Sequence, residues 1–157
     1  LSDAVVLARE PSGELDLRIS LFTKKFGKLT GKVKSARKIT SKLAGHLEPG
    51  NLIKARIIEK NGFQVVDALK NNKVKAQEVD LGVLSGLLHE GDADAGLWAM
   101  IVRNFNWKEA LRLFGWDPEA ASCTSCGGVA EVFLIPHQEF FCGGCASGID
   151  KNEVIYL

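Results

Sequence analysis

The sequence predicts an α+β protein in three parts: a five-stranded barrel over residues 1–73, a small helical region over 74–121, and a four-cysteine ribbon with a short tail over 122–157. Three observations lead there. Residues 3–70 are short alternating apolar runs separated by turn residues. Residues 76–121 change to a helical texture, and all four cysteines fall within one 23-residue stretch. Charge divides along the same line: residues 1–75 hold 16 Lys/Arg against 7 Asp/Glu, net +9, and residues 76–157 hold 4 against 12, net −8. The formal +1 of the 157-residue chain is therefore a cancellation between two oppositely charged halves.

Val5-Val6-Leu7 makes the first strand, and Pro11-Ser12-Gly13 turns the chain. Leu15, Leu17, Ile19 and Leu21 then alternate with Asp16, Arg18, Ser20 and Phe22, the period of two expected of a half-buried strand. Lys25-Phe26-Gly27 is the hairpin connection. Beyond it Leu29, Gly31 and Val33 alternate with Lys28, Thr30, Lys32 and Lys34, which gives the third strand one apolar and one basic face. Thr40 and Ser41 are hydroxyl N-cap candidates for a helical turn or two through Leu47, stopped at Pro49-Gly50. Residues 52–59 and 63–69 are two further strands, joined at Asn61-Gly62, the strongest hairpin signal in the chain. Three strands, a short helix and two strands is the layout of the OB-fold, a Greek-key barrel that commonly binds oligonucleotides.

In the helical region, Val79, Leu81, Val83, Leu84, Leu87 and Leu88 supply an apolar face that Gly91-Asp92 ends. A second segment runs from Leu97 through Phe105, and a third from Trp107 through Phe114, with Gly115 as its C′ residue. Asp117-Pro118 pairs an N-cap candidate with proline at a first helical position. Trp98, Trp107 and Trp116 read either as a base-stacking platform or as core; the acidic surroundings, which repel phosphate, favour core.

The cysteines are spaced C-x2-C, x15, C-x2-C: Cys123, Cys126, Cys142 and Cys145. This is the spacing of a zinc ribbon. Four thiolates close a tetrahedral shell with no open position for water, so one structural zinc ion is expected and not a catalytic one. Two disulfides or two redox motifs are the competing readings. Disulfides are disfavoured because no secretion signal precedes them, redox motifs because no βαβ pattern surrounds them. Val132-Phe133-Leu134 and Phe140-Phe141 read as strands between the knuckles, in a ribbon so small that metal binding is coupled to folding.

Between Leu17 and Leu47 stand nine basic residues, Arg18, Lys24, Lys25, Lys28, Lys32, Lys34, Arg37, Lys38 and Lys42, and no acidic one. Such a run is either a solvated, aggregation-blocking face or a phosphate-binding one; its setting on this type of barrel favours phosphate. Lys54 and Arg56 extend the same patch in this reading. Phe22 and Phe26 flank the Lys24-Lys25 pair as candidates for stacking on unpaired bases, Phe22 from the polar face of its strand and Phe26 equally as a core residue. No apolar run reaches the roughly 18 residues of a membrane span, and residues 1–9 lack the makings of a secretion signal, so a cytoplasmic protein is expected. His46, His89 and His137 are scattered and no phosphate-binding loop motif exists, which argues against an enzyme.

Gly13-Glu14-Leu15-Asp16, the segment from Leu21 to Leu29, Lys34-Ser35-Ala36-Arg37-Lys38, and above all the segment from Ser41 to Gly50 resemble the RecO family of bacterial DNA repair proteins. The resemblance implies an OB-fold, a helical region and, in many members, a four-cysteine zinc motif. It also implies a non-enzymatic recombination mediator that binds single- and double-stranded DNA and anneals strands. Such a protein acts with RecR to load RecA onto DNA coated by single-stranded DNA-binding protein, at the bacterial nucleoid. The family's DNA-holding positions fall on Lys34, Arg37, Lys38 and Lys42, with Lys24, Lys25, Lys28 and Lys32 nearby. Two departures stand out: Ser35 occupies a position where the family often has glycine, and only 12 residues follow Cys145 where the family usually has more chain. From the charge division alone, a second function is a protein-interaction adaptor that docks a basic partner through its acidic half.

Overall fold

Alternation becomes pairing in the computed structural model, which describes residues 1–157. Strands β1 (Ser2–Ser12), β2 (Asp16–Thr23), β3 (Gly27–Val33), β4 (Asn51–Glu59) and β5 (Phe63–Lys73) close a barrel in the order β1-β2-β3-β5-β4, with β4 returning to β1. All ladders are antiparallel except the seam, where β3 and β5 run parallel through Gly31↔Phe63 and Lys32↔Gln64. This is the five-stranded OB barrel the sequence predicts. β1 is longer than its three apolar residues suggest, because it serves two partners: residues 2–5 pair with β4 and residues 4–12 with β2, across a bulge between Val6 and Ala8. Pro11 and Ser12 consequently lie in the strand, and the turn falls two residues later, at Gly13-Glu14-Leu15, with Gly13 at φ 66. Asn61 (φ 52) and Gly62 (φ 93) both take the left-handed conformation, in a connection that is three residues long, 60–62, between the paired Glu59 and Phe63.

Ala4, Val6, Ile19, Leu21, Ile53 and Ala55 fill the barrel. Its plug is Leu47, fully buried at the end of a 3-10 turn, Ala44–Leu47. A buried side chain of this size contributes roughly 1.5–3 kcal/mol, and here that burial substitutes for capping. The N-cap position is Leu43, without a side-chain hydrogen bond, so neither Thr40 nor Ser41 caps the turn. Asn51 ties it to β4 instead, its Nδ2 donating to Gly45 O (3.3 Å) and His46 O (3.0 Å).

Helices α1 (Glu78–Leu87) and α2 (Ala95–Asn104) belong to the same compact unit as the barrel, residues 1–105. They overturn the half-buried reading of β2. Ser20 is buried and shares a 2.7 Å hydrogen bond with Ser85 of α1. Phe22 is 0% exposed, its ring 6.3 Å from that of Trp98 on α2. Phe22 is therefore a core residue and not a stacking surface.

Residues 106–157 form the second unit. Its helix α3 (Trp107–Leu113) ends in a Schellman motif: Gly115, at φ 95, donates to Arg112 O (3.0 Å) and Trp116 N–H to Leu111 O (2.9 Å). Asp117-Pro118 starts no helix. Asp117 Oδ1 accepts from Glu119 N (3.0 Å) and faces Arg112 Nε (3.4 Å), which closes a turn over residues 118–120. Strands β6 (Val132–Leu134), β7 (Glu139–Phe141) and β8 (Val154–Tyr156) make a sheet in the order β7-β6-β8. The tail is thus a third strand of the ribbon. Phe133 joins Trp116 (5.0 Å between rings) to Phe140 (5.1 Å). Trp98 and Trp116 are half-buried and each packs against a phenylalanine within its own unit, a packing role and not an open stacking platform. No helix is long and apolar enough to cross a membrane.

Candidate nucleic-acid interface and metal centre

Asp16, the first residue of β2, organises the basic loop after β3. Its Oδ1 accepts from Ser35 N (2.7 Å) and its Oδ2 pairs with Lys32 Nζ (2.9 Å). The Ser35 N–H first, and Lys32 second, hold this carboxyl below the usual aspartate range. The pin is therefore in place at neutral pH and is released only as acid protonates Asp16. Arg37 completes the attachment: its backbone N–H donates to Leu15 O (2.9 Å) and its guanidinium to Gly13 O (3.2 Å). Ala36 is buried between them, leaving Lys34, Arg37 and Lys38 exposed, with Lys42 exposed further along. Ser35 adopts φ 55, a left-handed conformation that suits glycine and costs a serine roughly 1–2 kcal/mol.

Arg9 joins this cluster although nothing but a lone basic residue in an apolar strand marks it in the sequence. It lines a cleft of about 410 Å³ with Arg37 and Lys38, and is steadied by Glu48 (2.7 Å) and Ala44 O (3.3 Å).

The eight candidate cations do not form one patch. Register places Arg18↔Lys32, Ser20↔Thr30 and Phe22↔Lys28 on the outer face of β2 and β3. The end at Arg18 and Lys32 is open; the end at Phe22 and Lys28 lies under α1 and α2. Lys28 is only 15% exposed, and its Nζ donates to Ser85 O (2.7 Å) and Leu88 O (3.1 Å). α1 has no basic residue in its last turn, so Lys28 supplies the charge that a helix C-terminus favours. Lys24 and Lys25 stand exposed on the β2–β3 hairpin, at the far end of β3, about 20 Å of strand from the loop cluster. The run is also less unbalanced than its own window suggests. Acids from outside it reach in: Asp16 to Lys32, Glu10 to Arg18 (3.6 Å) and Glu90 to Lys28 (4.0 Å). Lys54 and Arg56 stand on β4, separated from β3 by β5, and do not extend the patch. Phe26, 48% exposed with Lys25 Nζ 5.2 Å from its ring centre, is a surface residue and not core.

In the second unit Cys123, Cys126, Cys142 and Cys145 bring four sulfurs within 4.8 Å of one another. Zinc–sulfur bonds of about 2.3 Å in a tetrahedron need sulfurs about 3.8 Å apart, and Cys126 Sγ lies 3.7 Å from Cys142 Sγ, far beyond disulfide length. The residues fit a metal ion. Each knuckle is shaped by its backbone: Gly127 (φ 74) donates to Cys123 O (2.8 Å), and Ala146 N–H to Cys142 O (3.0 Å). Gly143 N–H donates to the Glu131 carboxylate, an approach that a Cβ at residue 143 would obstruct. Backbone hydrogen bonding, from Cys142 first, holds the Cys123 thiol down to about 6, whereas the neighbouring thiols, Cys142 first, push Cys145 up to about 12. Thiols this crowded resist joint ionisation, and a divalent cation at their centre relieves that resistance.

Residues 1–71 match the family model described as "Recombination protein O N terminal". The chain is also 40% identical over 63 residues to the DNA repair protein RecO of Myxococcus xanthus (strain DK1622). That stretch is 40% of this chain and 26% of the relative, so the match spans about a quarter of the curated protein.

Proposed function

We propose that this chain, whose residues 1–71 match the family model of the RecO N-terminal region, serves DNA repair and recombination by holding DNA through phosphate contacts. The observation that carries this reading is the exposed loop of Lys34, Arg37, Lys38 and Lys42, fixed by Asp16 to the barrel. Lysine and arginine heads presented on a rigid loop displace counterions from the DNA backbone and bind it without reading sequence. Arg9 and Lys32 extend this end of the barrel; Lys24 and Lys25 supply a second contact point at the other end of β3. Lys28, committed to α1, steadies the face instead. Single- and double-stranded DNA are bound in this way, complementary single strands are annealed, and the protein acts with RecR and single-stranded DNA-binding protein to help load RecA, in the bacterial cytoplasm at the nucleoid.

No bond-making chemistry is assigned to the chain. The second unit, with 3 Lys/Arg against 7 Asp/Glu over residues 106–157, avoids phosphate and is left to meet proteins. Its four thiolates hold one structural zinc ion, whose contribution is to cross-link the two knuckles.

Reversing three charges together, Lys34→Glu, Arg37→Glu and Lys38→Glu, tests the reading. Affinity for DNA is expected to fall about 100-fold near 0.1 M salt, equally for unrelated sequences, with strand annealing lost in parallel. Unchanged affinity in the triple variant would reject the loop as the DNA contact.

A further inference from the structure

Between the β2–β3 and β4–β5 hairpins the barrel mouth opens into a cavity of about 370 Å³ lined by Phe26, Leu29, Ile57, Ile58, Glu59 and Phe63. Leu29 pairs across from Leu21, and Ile57 packs on the barrel core, so these two form the floor. Phe63 is drawn in at the parallel seam, where Gly31 leaves no room for a side chain: a Cβ there would stand 3.0 Å from Phe63 O. Phe26 and Ile58 remain exposed on the rim. The cavity is within the size range of ligand pockets, and barrel mouths are a frequent place for them.

We infer that this mouth receives an unpaired nucleobase of a DNA strand whose phosphates are held by the flanking lysines; the inference rests on the phosphate-binding reading above. The lining is aromatic and aliphatic, as a base face requires. Its single polar side chain is Glu59, which has no ion-pair partner and accepts hydrogen bonds, as the amino groups of cytosine or adenine donate them. The charge around it complements phosphate. Lys24 and Lys25 lie on one framing hairpin, Lys25 directly over Phe26, and Lys60 lies in the other, where Gln64 holds its carbonyl (2.8 Å). An apolar protein segment would fill the lining but leave these three cations unanswered. A duplex, whose bases are stacked inside, would meet the lysines and leave the cavity empty.

The test compares two single strands of about 15 nucleotides with equal numbers of phosphates, one of mixed sequence and one wholly abasic, by anisotropy on the full chain. The wild-type protein is expected to bind the base-bearing strand about 10-fold tighter. Phe26→Ala should abolish that preference by bringing the base-bearing strand down toward the affinity of the abasic one, and Phe26→Trp should keep it, with indole fluorescence quenched by the base-bearing strand only. Equal wild-type affinity for both strands would overturn the proposal and leave the mouth to an apolar protein segment. A parallel loss on both strands in Phe26→Ala would overturn it too. If neither strand binds, the phosphate reading itself falls and this inference with it, an outcome distinct from the other two.

Discussion

Cys142→Ser, or a chelator added to the wild-type chain, is expected to unfold residues 106–157 while the barrel keeps its strands. The second unit has little else to hold it. Its three strands are three residues each, and its principal apolar contact is the Trp116, Phe133 and Phe140 stack with Ile155 behind it. A core of that size does not offset the conformational entropy of some 50 residues. In comparable zinc-dependent modules the metal supplies about 10–16 kcal/mol at neutral pH, which is the folding free energy itself. Near-UV circular dichroism should lose the Trp107 and Trp116 contributions, while far-UV strand signal and the Trp98 environment persist. A chelated chain whose second unit keeps dispersed amide resonances would contradict the account of the ribbon.

Gly27→Ala should be among the most damaging single substitutions in the first unit. Gly27 has φ +68, and a Cβ there would stand 2.2 Å from Asp92 C and O and 2.5 Å from Ala93 N. Those neighbours are backbone and cannot swing aside. Moving them dislodges the segment that seals the edge of β3, where Gly91 N–H donates to Lys28 O (2.9 Å) and Thr30 N–H to the Glu90 carboxylate (2.9 Å). It also disturbs Asp94, which caps α2 by accepting from Leu97 N (2.7 Å). Left-handed strain and the lost clasp together cost about 3–4 kcal/mol, or roughly 15 °C or more in Tm for a unit of this length. Gly13→Ala is the matched control: φ is +66 and nothing lies within 4 Å of the added methyl. It should cost only about 1 kcal/mol. Equal losses at the two positions would mean that residues 92–93 do not bear on Gly27.

The barrel and the metal centre were legible because both are written locally. Period-two alternation, Asn61-Gly62, and four cysteines in two knuckles each declare themselves within a few residues. What escaped was non-local. Phe22 looked outward because alternation assumes that one strand face is wet; α1 and α2, more than 50 residues further along the chain, make it dry. The same helices convert Lys28 from a surface charge to a helix-terminating one. β8 escaped because three residues carry no readable period, and its pairing with β6 is set by the ribbon and not by its own sequence. The basic loop was legible as charge, but its rigidity, which comes from Asp16 and Arg37 reaching back to the β1–β2 turn, was not.

That rigid loop is the centre of the functional account, and a salt titration of single-stranded DNA binding tests it most directly. Four exposed cations on the loop, or six with Lys24 and Lys25, each release counterion equivalent to about 0.7 per contact, so log Kobs against log salt should fall with a slope of about −3 to −4. The triple charge reversal should flatten that slope by about two. Binding that ignores salt, or no binding to either DNA form, would contradict the assignment of this barrel as a phosphate-gripping surface.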